Sequence, residues 1–232
     1  MLTGDELGLL LADHMLRRGA EGVLASSVVS SGALAALAAA RGRRHVTTLT
    51  GFKWIGRVPD LAFGYEEAIG YCCDPAVVPD KDGLTAALMA LEMTARLRAK
   101  GLTLADRLDE LTAELGLHAT AQLAIRVDDL SLITAAMERL RANPPVSLLY
   151  APVSYRDLAE SSAGLPPTDA VELASDEVRV VVRPSGTEPK LKCYLEVVLP
   201  PEKSQSGMAA RLAAEIRLMT LRGQVQSVLG LD

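Results

Sequence analysis

Eight consecutive residues, Arg183-Pro184-Ser185-Gly186-Thr187-Glu188-Pro189-Lys190, put a guanidinium, two hydroxyls and an ammonium into one short segment. That set suits a phosphate. Arginine offers a planar fork matched to two phosphate oxygens. The Ser185 and Thr187 hydroxyls can donate further bonds, and Gly186 lets backbone N–H groups turn toward an anion as a nest. A β-prone stretch over 178–182 ends where the run begins, and an alternating stretch over 191–199 starts where it stops. The spacing therefore predicts the tip of a strand–loop–strand hairpin. An ordinary hairpin accounts for Pro184, Ser185 and Gly186, all common turn residues. It does not account for a cation at each end, Arg183 and Lys190.

A second constellation, Gly64-Tyr65-Glu66-Glu67-Ala68-Ile69-Gly70, closes a predicted strand in the first half of the chain. Ligands of open α/β sheets gather at such strand ends. Adjacent side chains on an extended segment face opposite ways, so Glu66 and Glu67 cannot do the same work. One could accept from two neighbouring sugar hydroxyls while the other pairs with a cation or caps a helix. The plain alternative is a solvated helix start, where acidic residues are favoured. Just upstream, Thr50-Gly51-Phe52-Lys53-Trp54-Ile55 holds a lysine beside the only tryptophan. Lys53 is a candidate counter-charge for a phosphate or for the glutamates, or simply a surface residue beside a core one.

These runs must be positioned by ordinary globular elements. Of the 232 residues 49% are hydrophobic and 23% charged, enough for one large or two smaller cores. A net charge of −5 argues against a broad basic face, so nucleic acid and membrane surfaces are not expected partners. Cys72, Cys73 and Cys193 make no C-x-x-C pair and no even framework, which fits a reducing cytoplasm. His14, His45 and His118 are dispersed without metal spacing, so no metal site is expected within the chain. The longest apolar run, 33–40, is too short to span a bilayer. Asp5, Glu6 and Asp13 stand where a signal peptide would be basic and then apolar.

Thr3-Gly4-Asp5-Glu6 reads as a capping box opening a helix with Leu7, Leu11 and Met15 on one face. Strands are predicted over 22–30 and 44–49, a further strand and loop over 61–71, and an Ala-rich helix over 31–40. Two further helices carry the stripes Leu84, Leu88, Leu91, Ala95 and Leu104, Leu108, Leu111, Leu115. This alternation predicts a mixed or parallel α/β sheet domain over 1–115. From about Gly116 the character changes. A strand over 119–127, a helix over 130–141, a Pro/Ser/Gly-rich region over 143–168, the strands around the arginine loop and a last helix with Ala209, Leu212, Ile216 and Met219 follow. They predict a smaller α+β domain with an antiparallel sheet over 116–232.

Taken together, the motifs resemble the α-D-phosphohexomutase family of phosphoglucomutases and phosphomannomutases. Residues 183–189 match its R-x-S-G-T-E-P phosphate loop. Residues 64–70 match its sugar loop in the G-[YF]-E-E-[SA]-x-G form, and 50–55 match the T-G-F-K-W-I segment ahead of it. The resemblance covers essentially the whole chain, as the third and fourth of the family's four domains. The phosphoserine loop and the D-x-D-x-D-R magnesium loop of domains one and two do not occur here. Two departures stand inside the match: Ala68 replaces a frequent serine, and Phe52 a frequent histidine. The G-F-K-W-I form resembles the phosphopentomutase-like branch.

The resemblance implies an isomerase that moves a phosphoryl group from a phosphoserine to a sugar monophosphate through a sugar bisphosphate, with magnesium in the complete enzyme. Its partners would be a hexose or pentose phosphate and family domains one and two. This chain would recognise rather than break bonds, and would be inactive alone. Arg183, Ser185, Gly186, Thr187 and Lys190 would hold the phosphate that is not reacting, and Glu66, Glu67 and Lys53 would face the sugar. No residue of this chain would be catalytic. A phosphopentomutase and a non-catalytic phosphosugar-binding remnant are the alternatives.

Overall fold

A computed structural model describes residues 1–160, 164–204 and 207–230. The chain divides into two compact units, Met1–Gly116 and Leu117–Asp232. The mixed sheet and the antiparallel sheet predicted from the sequence are both present.

The first unit opens with helix α1 (Gly4–Arg17). Thr3 and Glu6 close the predicted capping box, each side chain bonding the other's backbone N–H. Strand β1 (Val23–Ser27), helix α2 (Ala33–Ala40), strand β2 (His45–Thr48), the short helix α3 (Phe52–Ile55), and strands β3 (Leu61–Glu66) and β4 (Gly70–Cys72) follow. The sheet runs β2-β1-β3-β4, with β1 parallel to both neighbours and β4 antiparallel to β3. Helices α4 (Gly83–Arg98) and α5 (Leu104–Leu115) complete the unit.

Strand alternation distributes side chains to both faces of this sheet. Leu24, Phe63, Tyr65 and Tyr71 join the main core with residues of α1, α2, α4 and α5, while Ala25 and Cys72 meet Phe52 and Ile55 of α3. Gly64 allows that second contact, since a Cβ there would lie 2.3 Å from Ile55 Cγ2. A buried ion cluster links three helices on the main-core side. Asp13 of α1 accepts two bonds from Arg107 of α5, at 2.7 and 2.9 Å, and lies within ion-pair reach of Arg17 and of Arg41 after α2.

In the second unit β5 (Leu117–Arg126) leads to α6 (Leu130–Ala142), then β6 (Ser147–Leu148), β7 (Ala151–Pro152), β8 (Ser154–Asp157), β9 (Val171–Ala174), β10 (Val178–Pro184), β11 (Lys190–Leu199), α7 (Pro201–Ser204) and α8 (Gly207–Leu229). The five-stranded sheet β5-β11-β10-β9-β8 is antiparallel throughout. One face supplies Leu191, Cys193, Leu195, Val178, Val180 and Val182 to a core shared with α6 and α8. The other face carries a ladder of alternating charge. Arg156 pairs with Glu172, Arg179 with Glu172 and Glu196, and His118 with Glu196.

Two differences from the sequence reading have a shared cause. Leu84, Leu88, Leu91 and Ala95 of α4 point outward, Leu84 being 80% exposed, and the buried face is Ala86, Met93 and Leu97. In α8 Ala209, Leu212, Ile216 and Met219 are likewise exposed, while Ala210, Ala214, Leu221, Val225 and Leu229 are buried. Both helices carry two apolar stripes, and the bulkier one is not the one that packs. Region 143–168, read only as rich in Pro, Ser and Gly, holds β6, β7 and β8, strands of two to four residues too short for alternation to register. Its residues 161–163 lie outside the described ones.

Candidate functional site

Pairing of β10 with β11 sets the phosphate-loop candidates. The register places Arg183 directly opposite Lys192 and Pro184 opposite Leu191, so residues 185–189 form the tip. Ser185 N donates to the Lys190 carbonyl at 2.8 Å, and Val127 N ties the Pro189 carbonyl at 3.1 Å. Parity puts Arg183 and Lys192 on the charged face with Arg179 and Glu196, away from the core. Every cation of the ladder has a carboxylate partner. Arg183 and Lys192 form no ion pair among the described residues.

The tip itself is rich in open donors. The backbone N–H groups of Gly186, Thr187 and Glu188 and the hydroxyls of Ser185 and Thr187 have no hydrogen-bond partner among the described residues. A Cβ on Gly186 would meet nothing within 4 Å. No residue from Ser185 to Pro189 takes a positive φ, so the loop is not a nest of alternating handedness, and the freedom of Gly186 is not used for one. Lys190 differs from the rest. Its ammonium lies 2.8 Å from Glu188 Oε1, and the pair holds the Glu188 carboxyl below its usual range. The acidic member of the motif thus occupies one of the two predicted cations.

The other constellation lies in the first unit. Tyr65 and Glu66 end β3, residues 67–69 turn, and β4 returns with Glu66 paired to Gly70. Glu66 is not a helix start. Its Oε1 accepts from the Gly51 N–H at 2.5 Å, which brings the segment bearing Lys53 against the sugar-loop candidates. Lys53 is exposed and lies 5.6 Å from the Trp54 ring centroid, a cation–π contact, without an ion pair to either glutamate among the described residues. Phe52 is a core residue packed against Gly70, whose Cβ would meet the ring at 2.6 Å.

Glu67 faces the opposite way. Its Oε2 lies 3.5 Å from Ser27 Oγ and 3.4 Å from Ser30 Oγ, and those hydroxyls are 2.8 Å apart in the turn between β1 and α2. Its own N–H donates to Ser30 Oγ at 3.3 Å. It neither pairs with a cation nor caps a helix among the described residues. Burial pushes its carboxyl up to about 7, with Asp5 and Glu66 adding to the rise. Asp5 is fixed beside it by Ser31 N at 2.8 Å and Tyr65 Oη at 2.9 Å.

Sequence reasoning missed Lys192, Asp5, Ser27 and Ser30. Lys192 has the parity of a hairpin position opposite Arg183, a usable signal once the tip is fixed. The serines follow a strand at its carboxyl end, but only tertiary folding brings 27 and 30 to 67. Among the described residues no group of three or more His, Cys, Asp or Glu side chains is placed to hold a metal ion. The magnesium that the family resemblance implies has no fitting group among the described residues. No described helix is long and apolar enough to cross a membrane.

Residues 3–115 match the model of phosphoglucomutase/phosphomannomutase alpha/beta/alpha domain III, and residues 123–217 that of the C-terminal domain of the same family. The chain belongs to the phosphoglucomutase/phosphomannomutase family. It is 42% identical over 198 residues to the Haemophilus influenzae protein named "Probable phosphomannomutase", covering 84% of this chain and 40% of that one. It is 33% identical over 240 residues to the phosphopentomutase of Homo sapiens, covering 88% of this chain and 39% of the relative. The chain thus spans about two-fifths of the length of these relatives. The crystal structure of parafusin, a phosphoglucomutase from Paramecium, shares the fold with TM-score 0.71 at 21% identity, over 99% of this chain and 43% of that one.

Proposed function

We propose that this chain supplies sugar and phosphate recognition to a phosphosugar mutase that works by intramolecular phosphoryl transfer through a phosphoserine and a sugar bisphosphate. One observation carries the reading: the β10–β11 tip gathers Arg183, Lys192, two hydroxyls and three backbone N–H groups without protein partners among the described residues. Donors left open together suit a dianion that contributes only acceptors. Like charges directly opposite on paired strands are unfavourable by themselves, so Arg183 and Lys192 gain from an anion between them.

Arg183, Ser185, Gly186, Thr187 and Lys192 then hold the phosphate that is not reacting, and Lys190 helps once drawn from Glu188. Glu66 accepts from ring hydroxyls, exchanging its bond to Gly51, and Lys53 stands near as a charge for the sugar phosphate. Such contacts position the substrate and stabilise charge, which dominate phosphoryl transfer. None of these residues is a nucleophile for that step, so the chain alone is expected to bind without turnover. A cytoplasmic location goes with this reading.

A pentose phosphate is the second reading, favoured by Ala68, which removes a hydroxyl from the sugar loop, and by the kinship with a phosphopentomutase. Calorimetric titration of the chain with mannose 1-phosphate, glucose 1-phosphate, ribose 1-phosphate and the free sugars tests both. Binding of phosphorylated sugars only, lost in Arg183→Ala, is the expected result. Equal binding of free and phosphorylated sugars would end the phosphate assignment, and a clear preference for ribose 1-phosphate would select the pentose.

A further inference from the structure

The sugar loop is tied down on its inner side by groups that play no part in the recognition described above. Glu67 sits over the β1–α2 turn, between Ser27 and Ser30, with its backbone N–H on Ser30 Oγ. Beneath it lies the first turn of α1. A Cβ on Gly4 would fall 2.0 Å from the Glu67 carbonyl oxygen, and Tyr71 Oη bonds the Gly4 carbonyl at 3.0 Å. The charged groups acting on Glu67 are Asp5 of α1 and Glu66 of β3, both carboxylates, and the turn between β1 and α2 contributes hydroxyls only. The Glu67 carboxyl, where the loop is anchored, therefore feels two further carboxylates, and it forms no ion pair of its own among the described residues.

We propose that Glu67 is a positioning residue rather than a sugar ligand: it fastens the sugar loop to the β1–α2 turn, and the loop holds its binding shape when this carboxyl carries a proton. The inference rests on the sugar-recognition reading of the loop. With Glu67 neutral, the hydroxyls of Ser27 and Ser30 satisfy it and nothing repels Asp5 or Glu66. When Glu67 gives its proton to solvent, a third negative charge enters a half-buried cluster, and the repulsion acts on the 67–69 turn that directly follows Glu66. Glu66 faces Gly51 on the other side, so a shift of the anchor moves the ligand-facing carboxylate without touching the ligand. The near-neutral titration that burial gives Glu67 puts this coupling in the physiological range.

Trp54 reports on the loop, since it lies three residues after Gly51, whose N–H bonds Glu66. The test is a fluorescence titration of the chain with ribose 1-phosphate, glucose 1-phosphate and mannose 1-phosphate from about pH 5.5 to about 8.5, alongside inorganic phosphate, whose own ionisation is common to all variants. Wild-type affinity for the sugar phosphates should fall as pH rises through neutrality, by about tenfold per unit at most for one coupled proton. Glu67→Gln should follow the inorganic phosphate profile and bind more tightly than wild type above neutrality, while Glu66→Gln should bind weakly at every pH.

An unchanged pH profile in Glu67→Gln, or a uniform loss like that of Glu66→Gln, would overturn the proposal. If wild type binds inorganic phosphate but no sugar phosphate at any pH, the sugar-recognition reading fails first and this inference with it. Should Glu67→Gln not fold, Ser30→Ala with carbon-13 detection of the Glu67 carboxyl replaces it. Loss of that hydroxyl should raise the midpoint, and an unmoved midpoint would equally overturn the anchor.

Discussion

Gly4 of α1 lies so close to the Glu67 carbonyl that a methyl group at residue 4 would stand 2.0 Å from the oxygen. The helix start and the turn after β3 are therefore one packed unit, though 63 positions separate Gly4 from Glu67 in the chain. Gly4→Ala should push the turn away and destabilise the unit by roughly 1–3 kcal/mol, the usual cost of overpacking. Thermal melting measures the loss. Inorganic phosphate binding, which the proposed function assigns to the other unit, should be unaffected.

Arg183 and Lys192 should show opposite effects on stability and on binding. If the proposed site holds, each gives a charge-assisted bond to phosphate, so Arg183→Ala or Lys192→Ala should weaken phosphate affinity by about 1.5–3 kcal/mol, or one to two decades. Removing one of two like charges from facing strand positions should also raise stability by about 0.2–1 kcal/mol. Calorimetry and melting of the same variants give both signs. Lower stability with unchanged affinity would reassign the pair to structure.

Ile69 sits at φ +63 with its side chain 75% exposed, a left-handed backbone that β-branched residues rarely adopt. Ile69→Asn, a residue that tolerates this region, should stabilise the chain by about 1 kcal/mol. A raised melting temperature with no change in phosphate binding would confirm that the strain is local to the turn.

His45 and Glu67 should tilt stability in opposite directions with pH. Burial lowers His45 to about 4 beside Ser26 Oγ at 3.0 Å, so the unfolded chain takes up the proton first. Its contribution is full above about pH 6.5 and is lost as pH falls toward 4. Glu67 is raised from 4.5 to about 7, so its contribution is full below 4.5 and is lost as pH rises through 7. Between 4.5 and 6.5 the two slopes oppose, each at most about 1.4 kcal/mol per pH unit. His14, also lowered by burial, adds to the His45 slope. Denaturation of Glu67→Gln should expose a stability that climbs with pH in that window, and His45→Gln should expose one that declines.

Much of this was legible from residue types and spacing. The hairpin tip was readable because a β-prone run and an alternating run flank Arg183 to Lys190, and the capping box because Thr3 and Glu6 stand three apart. The sheets followed from the shift in pattern near Gly116. What could not be read depended on partners chosen in three dimensions. Leu84, Leu88 and Leu91 made a convincing stripe, but Ala86, Met93 and Leu97 made another, and only close packing against neighbours decides between them. Lys190 looked like a free cation until Glu188, two positions away, proved to hold it. That Glu66 and Glu67 do different work was readable, but not which does which, until folding set one against Gly51 and the other against two serines.

The outward leucines of α4 bear on how the purified chain will behave at the bench. A ridge of Leu84, Leu88 and Leu91 makes the surface sticky, so scattering and loss at high concentration should trace to that helix rather than to either hydrophobic interior. Writing lysine or glutamate at position 88 would then keep the material in solution while leaving its folded architecture intact.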